Sequence, residues 1–326
     1  MRLLPTYEYE HGPTVVALGG GHGLAATLSA LRTITPRITA IVTVADDGGS
    51  SGRLRSEFGI LPPGDLRMAL AALCADDVWG RRWADVVQHR FSGSGEVGGH
   101  SLGNLMLAAL WEMHGDWVVG LDHVAQLLRV VGRVLPMAAT PLEICAMVQN
   151  LETAEIEQIR GQVAVATARG RVLELTLDPP NPPARPEAIT AIAEADWITI
   201  GPGSWYSSVL PHLLVPAQRE ALIASQAKKI VLVNLDARPN RDPVDEAGGQ
   251  PPEDHLALLA AHAPGLRLDV VVADPTTVSN HRRLNEVAGE LGARVVVSDV
   301  VVGLNSVHHD PIKLAAALKD VFEGRA

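Results

Sequence analysis

Two short glycine runs carry the clearest chemical signal in this chain. Gly19-Gly20-Gly21-His22-Gly23 follows the apolar stretch T-V-V-A-L, and Gly201-Pro202-Gly203-Ser204 follows D-W-I-T-I. Glycines at a strand end let the backbone approach a ligand, and amides at the start of the next helix favour a phosphate. Gly21, Gly23 and Ala26 satisfy G-x-G-x-x-A, the weaker form of the dinucleotide fingerprint. The same glycines would serve a tight turn that binds nothing, and His22 fits an exposed turn position as well as a ligand contact.

The richest polar stretch is A-D-D-G-G-S-S-G-R-L-R, residues 45–55. It is expected as a loop at the end of the second strand, where open α/β sheets bind ligands. There Asp46 or Asp47 would accept from ribose hydroxyls or hold magnesium, Gly48, Ser50 and Ser51 offer amides and hydroxyls, and Arg53 and Arg55 suit a diphosphate. Asp65, in P-P-G-D-L-R, is placed as a helix N-cap and as a further oxygen ligand for magnesium. In G-G-H-S-L-G-N, Ser101 would cap a helix whose opening turn presents His100 and Asn104. Tyr206, beside Trp205, stacks on a base or fills a gap behind the sheet. Asn234 opens N-L-D-A-R-P-N-R-D, a polar run at another strand end, and His308 and His309 precede Asp310-Pro311.

Several chemistries have no support. The chain has no G-x-x-x-x-G-K-[ST], no H-E-x-x-H, no cysteine pair and no G-x-S-x-G. No catalytic residue and no resident metal is therefore assigned; magnesium is the one cofactor the acids would suit.

The elements that must position these residues follow from periodicity. Buried strands are expected at 14–19, 38–44, 197–200, 230–235, 270–273 and 294–298, with a helix starting just after Gly23 and others at 218–228 and 253–263. Such alternation predicts an α/β, Rossmann-like, mainly parallel doubly wound sheet. Residues 65–130 keep a helical period and form an inserted helical layer, while 161–177 alternates around Gly170 as a β-hairpin would. The whole of 1–326 reads as one domain.

The chain has 326 residues, 47% hydrophobic and 20% charged, with a formal net charge of −10. That balance argues against general nucleic-acid binding. Two isolated cysteines, Cys74 and Cys145, suit a reducing compartment. With neither an export signal nor an apolar run of membrane length, the expected location is cytoplasmic, with no membrane span.

Together, the blocks G-G-G-H-G-L, T-V-A-D-D-G-G-S-S-G-R-L-R, P-P-G-D-L-R, G-H-S-L-G-N, G-P-G-S-W-Y-S-S, the Asn234 run and H-D-P resemble the gluconeogenesis-factor family of YvcK type. That family is a branch of the group that includes 2-phospho-L-lactate transferase (CofD). The resemblance implies a Rossmann-like fold and binding of a uridine-diphosphate sugar such as UDP-N-acetylglucosamine. It implies a regulator that links carbon supply to cell-wall precursor synthesis and cell shape, acting through an unidentified partner protein; a homodimer is compatible with it. On this reading Gly20, Gly21, Gly23, Gly201, Gly203 and Ser204 hold the diphosphate through backbone amides. Arg53 neutralises it, Asp46 or Asp47 takes ribose or a metal, and His100 and Asn104 contact the sugar. The alternatives are a magnesium-dependent phosphotransferase and, last, an NAD-binding protein. The chain departs from the family pattern at His22 (usually Thr), Met68 (usually Asn), 237–242 and His308, where the family has an Arg associated with the sugar nucleotide. A histidine can still reach a phosphate, with less positive charge than arginine near pH 7.

Overall fold

A computed structural model describes residues 12–150, 152–168, 170–235, 250–303 and 306–325. In chain order the elements are β1 (Val15–Gly19), α1 (Gly21–Leu31), β2 (Ile38–Val42), α2 (Gly49–Phe58), α3 (Pro63–Ala72), α4 (Val78–Gln88), α5 (Leu102–His114), α6 (Trp117–Leu128) and β3 (Arg133–Pro136). There follow β4 (Glu143–Gln149), β5 (Ile156–Arg160), α7 (Gln162–Ala166), β6 (Arg171–Asp178), α8 (Pro186–Glu194) and β7 (Trp197–Ile200). A π-helical turn (Trp205–Val209) leads to α9 (Pro211–Leu214), α10 (Pro216–Ala224), β8 (Lys228–Leu232), α11 (Pro252–His262), β9 (Val270–Ala273), α12 (His281–Glu290), β10 (Arg294–Val297) and α13 (Pro311–Phe322).

Seven strands form one sheet in the order β10-β9-β8-β7-β1-β2-β3, every neighbouring pair parallel. The strands are short and rich in β-branched residues, and the inner ones are buried on both faces, as β1 (V-V-A-L-G) shows along its whole length, while the edge strand β10 is not. The chain moves outward from β1 through β2 to β3 on one side and from β7 to β10 on the other. The winding direction therefore reverses between β1 and β7, and in such sheets the crevice beyond the strand ends at that point receives ligands.

The connection from β2 to β3 holds the five helices α2–α6, the inserted helical layer expected from the sequence. It begins earlier than expected. Residues 49–58 form helix α2 where a polar loop was expected, although Gly and Ser are weak helix formers. Burial decides the outcome: Ser50, Ser51 and Leu54 face inward, and Gly59, at φ +64°, ends the helix in the left-handed conformation that glycine tolerates. Helix α1 likewise starts three residues early, at Gly21, so His22 and Gly23 lie in its first turn.

The 161–177 hairpin does not form. Gln162–Ala166 is helical, and β6 pairs antiparallel with β4, which also pairs with β5, giving a separate sheet of order β5-β4-β6. The apolar alternation was real, but the partner strand lies upstream of it. Among the described residues no helix is long and apolar enough to cross a membrane.

Candidate functional site

The turn after β1 and the turn after β7 meet at the reversal point. Together they line a cavity of about 380 Å³. Gly20, Gly21, His22 and Gly23 form one wall, and Pro202, Gly203 and Ser204 form the opposite one. The two turns touch so closely that a Cβ on Gly23 would collide with the Pro202 carbonyl oxygen. His22 and Gly23 belong to the first turn of α1, whose amides have no intrahelical acceptor. The exposed His308 and His22 rings lie 6.2 Å apart at the rim.

Three side chains hold this backbone in place. Asn234, just past β8, accepts from the Gly203 amide at 2.8 Å and donates to the Gly203 carbonyl at 2.6 Å. His212 Nε2 lies 3.3 Å from the Gly19 carbonyl while its Nδ1 lies 2.7 Å from Gln218 Nε2. Since the Gln218 amide donates to Nδ1, the proton of the neutral ring sits on Nε2 and points at β1. Burial holds the His212 pKa down at about 4, and also that of His309, a cavity-lining residue, at about 4. The Ser204 hydroxyl accepts from the Ser207 amide at 3.2 Å and so opens the π-helical turn.

The acids separate in space. Asp65 lines the cavity and is not the N-cap of α3, a position held by Pro62; it lies within the first turn. It accepts from the Gly21 amide, and the Thr43 hydroxyl is 3.5 Å away. Its pKa is pushed up to about 7, first by burial and then by the neighbouring Asp46 charge. Asp46 accepts from its own loop at the Gly48 amide, 2.9 Å. Asp47 turns the other way, accepting from the Val163 amide of α7 at 3.0 Å. Asp46 and Asp65, which repel each other, are thus a pair that a magnesium ion would suit. Asp47 is not a third member, and among the described residues no three acidic, His or Cys side chains form a metal cluster.

Of the other residues singled out from sequence, several stand behind the cavity wall rather than on it. Ser50, His100 and Asn104 form a buried chain, His100 Nδ1 lying 2.9 Å from Ser50 Oγ and Asn104 Nδ2 donating to Ser50 Oγ at 3.0 Å. Burial lowers the His100 pKa, so this ring is neutral. Ser51 accepts from the Gly64 amide at 3.0 Å and ties α2 to α3. Ser101 occupies the N-cap position of α5 without a capping bond. Arg53 donates to the carbonyls of Gly98 (2.7 Å) and Glu96 (3.3 Å), away from the cavity. The amide of Gly201 continues the sheet ladder to Leu18, and that of Gly203 goes to Asn234, so neither is left for a phosphate. Tyr206 is buried outside the cavity, while Trp205 stacks on His255 at 4.6 Å. Of the Asn234 run, residues 236–242 lie outside the described residues.

Sequence reasoning missed Gln162, Ser207 and Ser208, which also line the cavity. The two serines lie within the quoted G-P-G-S-W-Y-S-S block, and a turn carrying three hydroxyls was the available signal. His212 and Gln218 gave none, the first being a single polar residue among apolar ones and the second an ordinary polar helix residue beside Arg219 and Glu220.

The family described as 2-phospho-L-lactate transferase CofD matches residues 15–314 of this chain. A putative gluconeogenesis factor of Mycobacterium leprae is 51% identical over 317 residues, covering 96% of this chain and 87% of the relative. The gluconeogenesis factor of Bacillus subtilis is 35% identical over 325 residues, covering 95% and 98%. The crystal structure of a UPF0052 family member from Bacillus halodurans superposes with a TM-score of 0.82 at 34% identity, covering 95% of this chain and 99% of that one. With this fold, these turns and these relatives, the chain belongs to the CofD family, on its gluconeogenesis-factor branch.

Proposed function

We propose that this protein is a cytoplasmic nucleotide-sugar sensor, binding a ligand of the UDP-N-acetylglucosamine kind and tying gluconeogenic growth to cell-wall precursor supply and cell shape. The observation that supports it most is the meeting of two glycine turns from adjacent parallel strands in one cavity of about 380 Å³, within the range of small-molecule sites. The first-turn amides of α1 and the Ser204, Ser207 and Ser208 region would take the diphosphate. His22 and His308 stand together at the cavity rim, His308 where the family resemblance places an arginine. The lining offers glycine, hydroxyl, imidazole and the Asp65 carboxyl groups, and among the described residues none of its serine hydroxyls is hydrogen-bonded to an imidazole or to Asp65, which favours recognition over turnover. A regulatory partner would then read a ligand-dependent change of state, which requires the ligand to prefer one state.

The second reading, a magnesium-dependent phosphotransferase, is favoured by the mutually repelling Asp46 and Asp65 pair beside the phosphate-binding turn. Magnesium would supply charge neutralisation there. Calorimetric titration with UDP-N-acetylglucosamine, UDP-glucose, GDP and NAD, with and without magnesium, separates the two when followed by chromatography of the ligand. Binding of a UDP-sugar without consumption supports the sensor. Magnesium-dependent consumption, or preference for GDP, moves the protein to the transferase reading.

A further inference from the structure

A second cavity, of about 530 Å³, lies along the outer side of α1 and shares with the first only His22 and Ala26. Arg32, Arg67 and Arg90 line it, and no carboxylate among the described residues does. In a protein of net charge −10 this is a local reversal of sign. Arg67 is the decisive member. Its side chain is only 5% exposed, its Nε has no hydrogen-bond partner, and it makes no ion pair among the described residues. Its stem is seated against α5 at Gly103, where a Cβ would come within 2.9 Å of the Arg67 Cγ and Cδ. Burial first, and then the positive charge of Arg90, lowers the Arg67 pKa to about 10 against the smaller opposing pull of Asp65 and Asp46. A guanidinium buried without a partner is costly, and a second one placed beside it raises the cost. An oxyanion between them would remove both penalties and match the planar fork of arginine donors.

We propose that this cavity is a phosphate-binding site separate from the glycine-turn cavity, in which Arg67 and Arg90 hold the phosphate oxygens of a small molecule. Arg90 keeps donors free for this, since one of its NH groups goes to the Gly99 carbonyl at 2.9 Å. Arg32, held to the Cys74 carbonyl at 2.6 Å, stands where the body of a larger ligand would end. The inference does not rest on the nucleotide-sugar reading.

The test is titration of the full chain with inorganic pyrophosphate by calorimetry, repeated with orthophosphate and phenyl phosphate. Wild type is expected to bind pyrophosphate at this site. Arg90→Ala, at an exposed position where folding is not at stake, should weaken it by roughly tenfold or more. Arg90→Lys should restore part of it, and Arg82→Ala, at an exposed arginine on α4, should change nothing. Arg67→Met should abolish it, with thermal melting to verify folding. Tighter binding of phenyl phosphate than of orthophosphate would identify the ligand as an ester; the reverse would identify the free ion. No binding at about 10 mM, an unchanged Arg90→Ala isotherm, or equal weakening by Arg82→Ala would overturn the proposal.

Discussion

Asn234 and Gly203 are joined by two hydrogen bonds, side-chain amide to backbone amide and carbonyl, so the end of β8 fixes the turn that follows β7. Asn234→Ala removes both and should cost about 2 kcal/mol of stability while lowering ligand affinity further than that loss alone would. Asn234→Asp keeps the acceptor for the Gly203 amide but places a negative charge beside the anion site, so affinity should fall more than with alanine. Thermal melting and calorimetry on the two variants check this ordering.

Gly23 and Gly21 offer a contrast within one turn. A methyl at Gly23 meets the Pro202 backbone, and Gly23→Ala should destabilise by roughly 2–4 kcal/mol and open the cavity. Gly21 has φ +57° and open space around its Cβ position, so Gly21→Ala should cost only about 1 kcal/mol. Denaturant midpoints that rank the two the other way would show that the turns do not pack as described.

Asp65 binds its proton more tightly in the folded chain, at a pKa of about 7 against 3.8 for an ordinary aspartate. Its contribution to stability therefore falls as pH rises from about 4 to 7 and is level above that. Asp65→Asn should be more stable than wild type at pH 8, on the order of 2 kcal/mol, with the gap closing near pH 4. Anion affinity without magnesium should also decline through pH 7 in wild type and stay flat in the variant. Parallel pH profiles for the two proteins would refute the assignment.

Three buried imidazoles act in the opposite direction. His212 and His309 are held neutral down to about 4 and His255 to about 3, all by burial. The unfolded chain takes up these protons near pH 6.5, so stability should drop as pH falls from about 6.5 to 4, outweighing the single opposing proton of Asp65. Chemical denaturation at pH 7, 6 and 5 should give a monotonic loss.

Arg53 and His100 stand outside the ligand cavity. Arg53→Ala frees the 96–98 loop from two carbonyl anchors and should leave nucleotide-sugar affinity within about threefold. His100→Ala breaks a buried chain with Ser50 and should cost about 1–3 kcal/mol of stability. Calorimetry on soluble Arg53→Ala that shows complete loss of binding would return it to the site.

The parallel sheet and both glycine turns were legible because their signals are local: a β-branched run ending in glycine specifies strand and turn within a few residues. Asn234 was legible as a polar residue at a strand end, but not as a clasp on Gly203, since that bond spans 31 positions. The 45–55 stretch misled for the same reason. Its glycines and serines look like a mobile loop until α3 and α5 bury Ser50, Ser51 and Leu54. The divergence of Asp46 from Asp47 was beyond reach, because adjacent side chains part according to what faces them, here α3 on one side and α7 on the other.

The pairing of β1 with β7 joins Val15 to Trp197. The central pair of the sheet is therefore closed by residues separated by most of the chain, a contact with a large loop-closure cost and a slow approach. A growing polypeptide can complete β1-α1-β2 early, yet it has no cavity until β7 and β8 have been made. A ligand of the kind proposed would therefore be held only by a molecule synthesised through His309 and correctly wound.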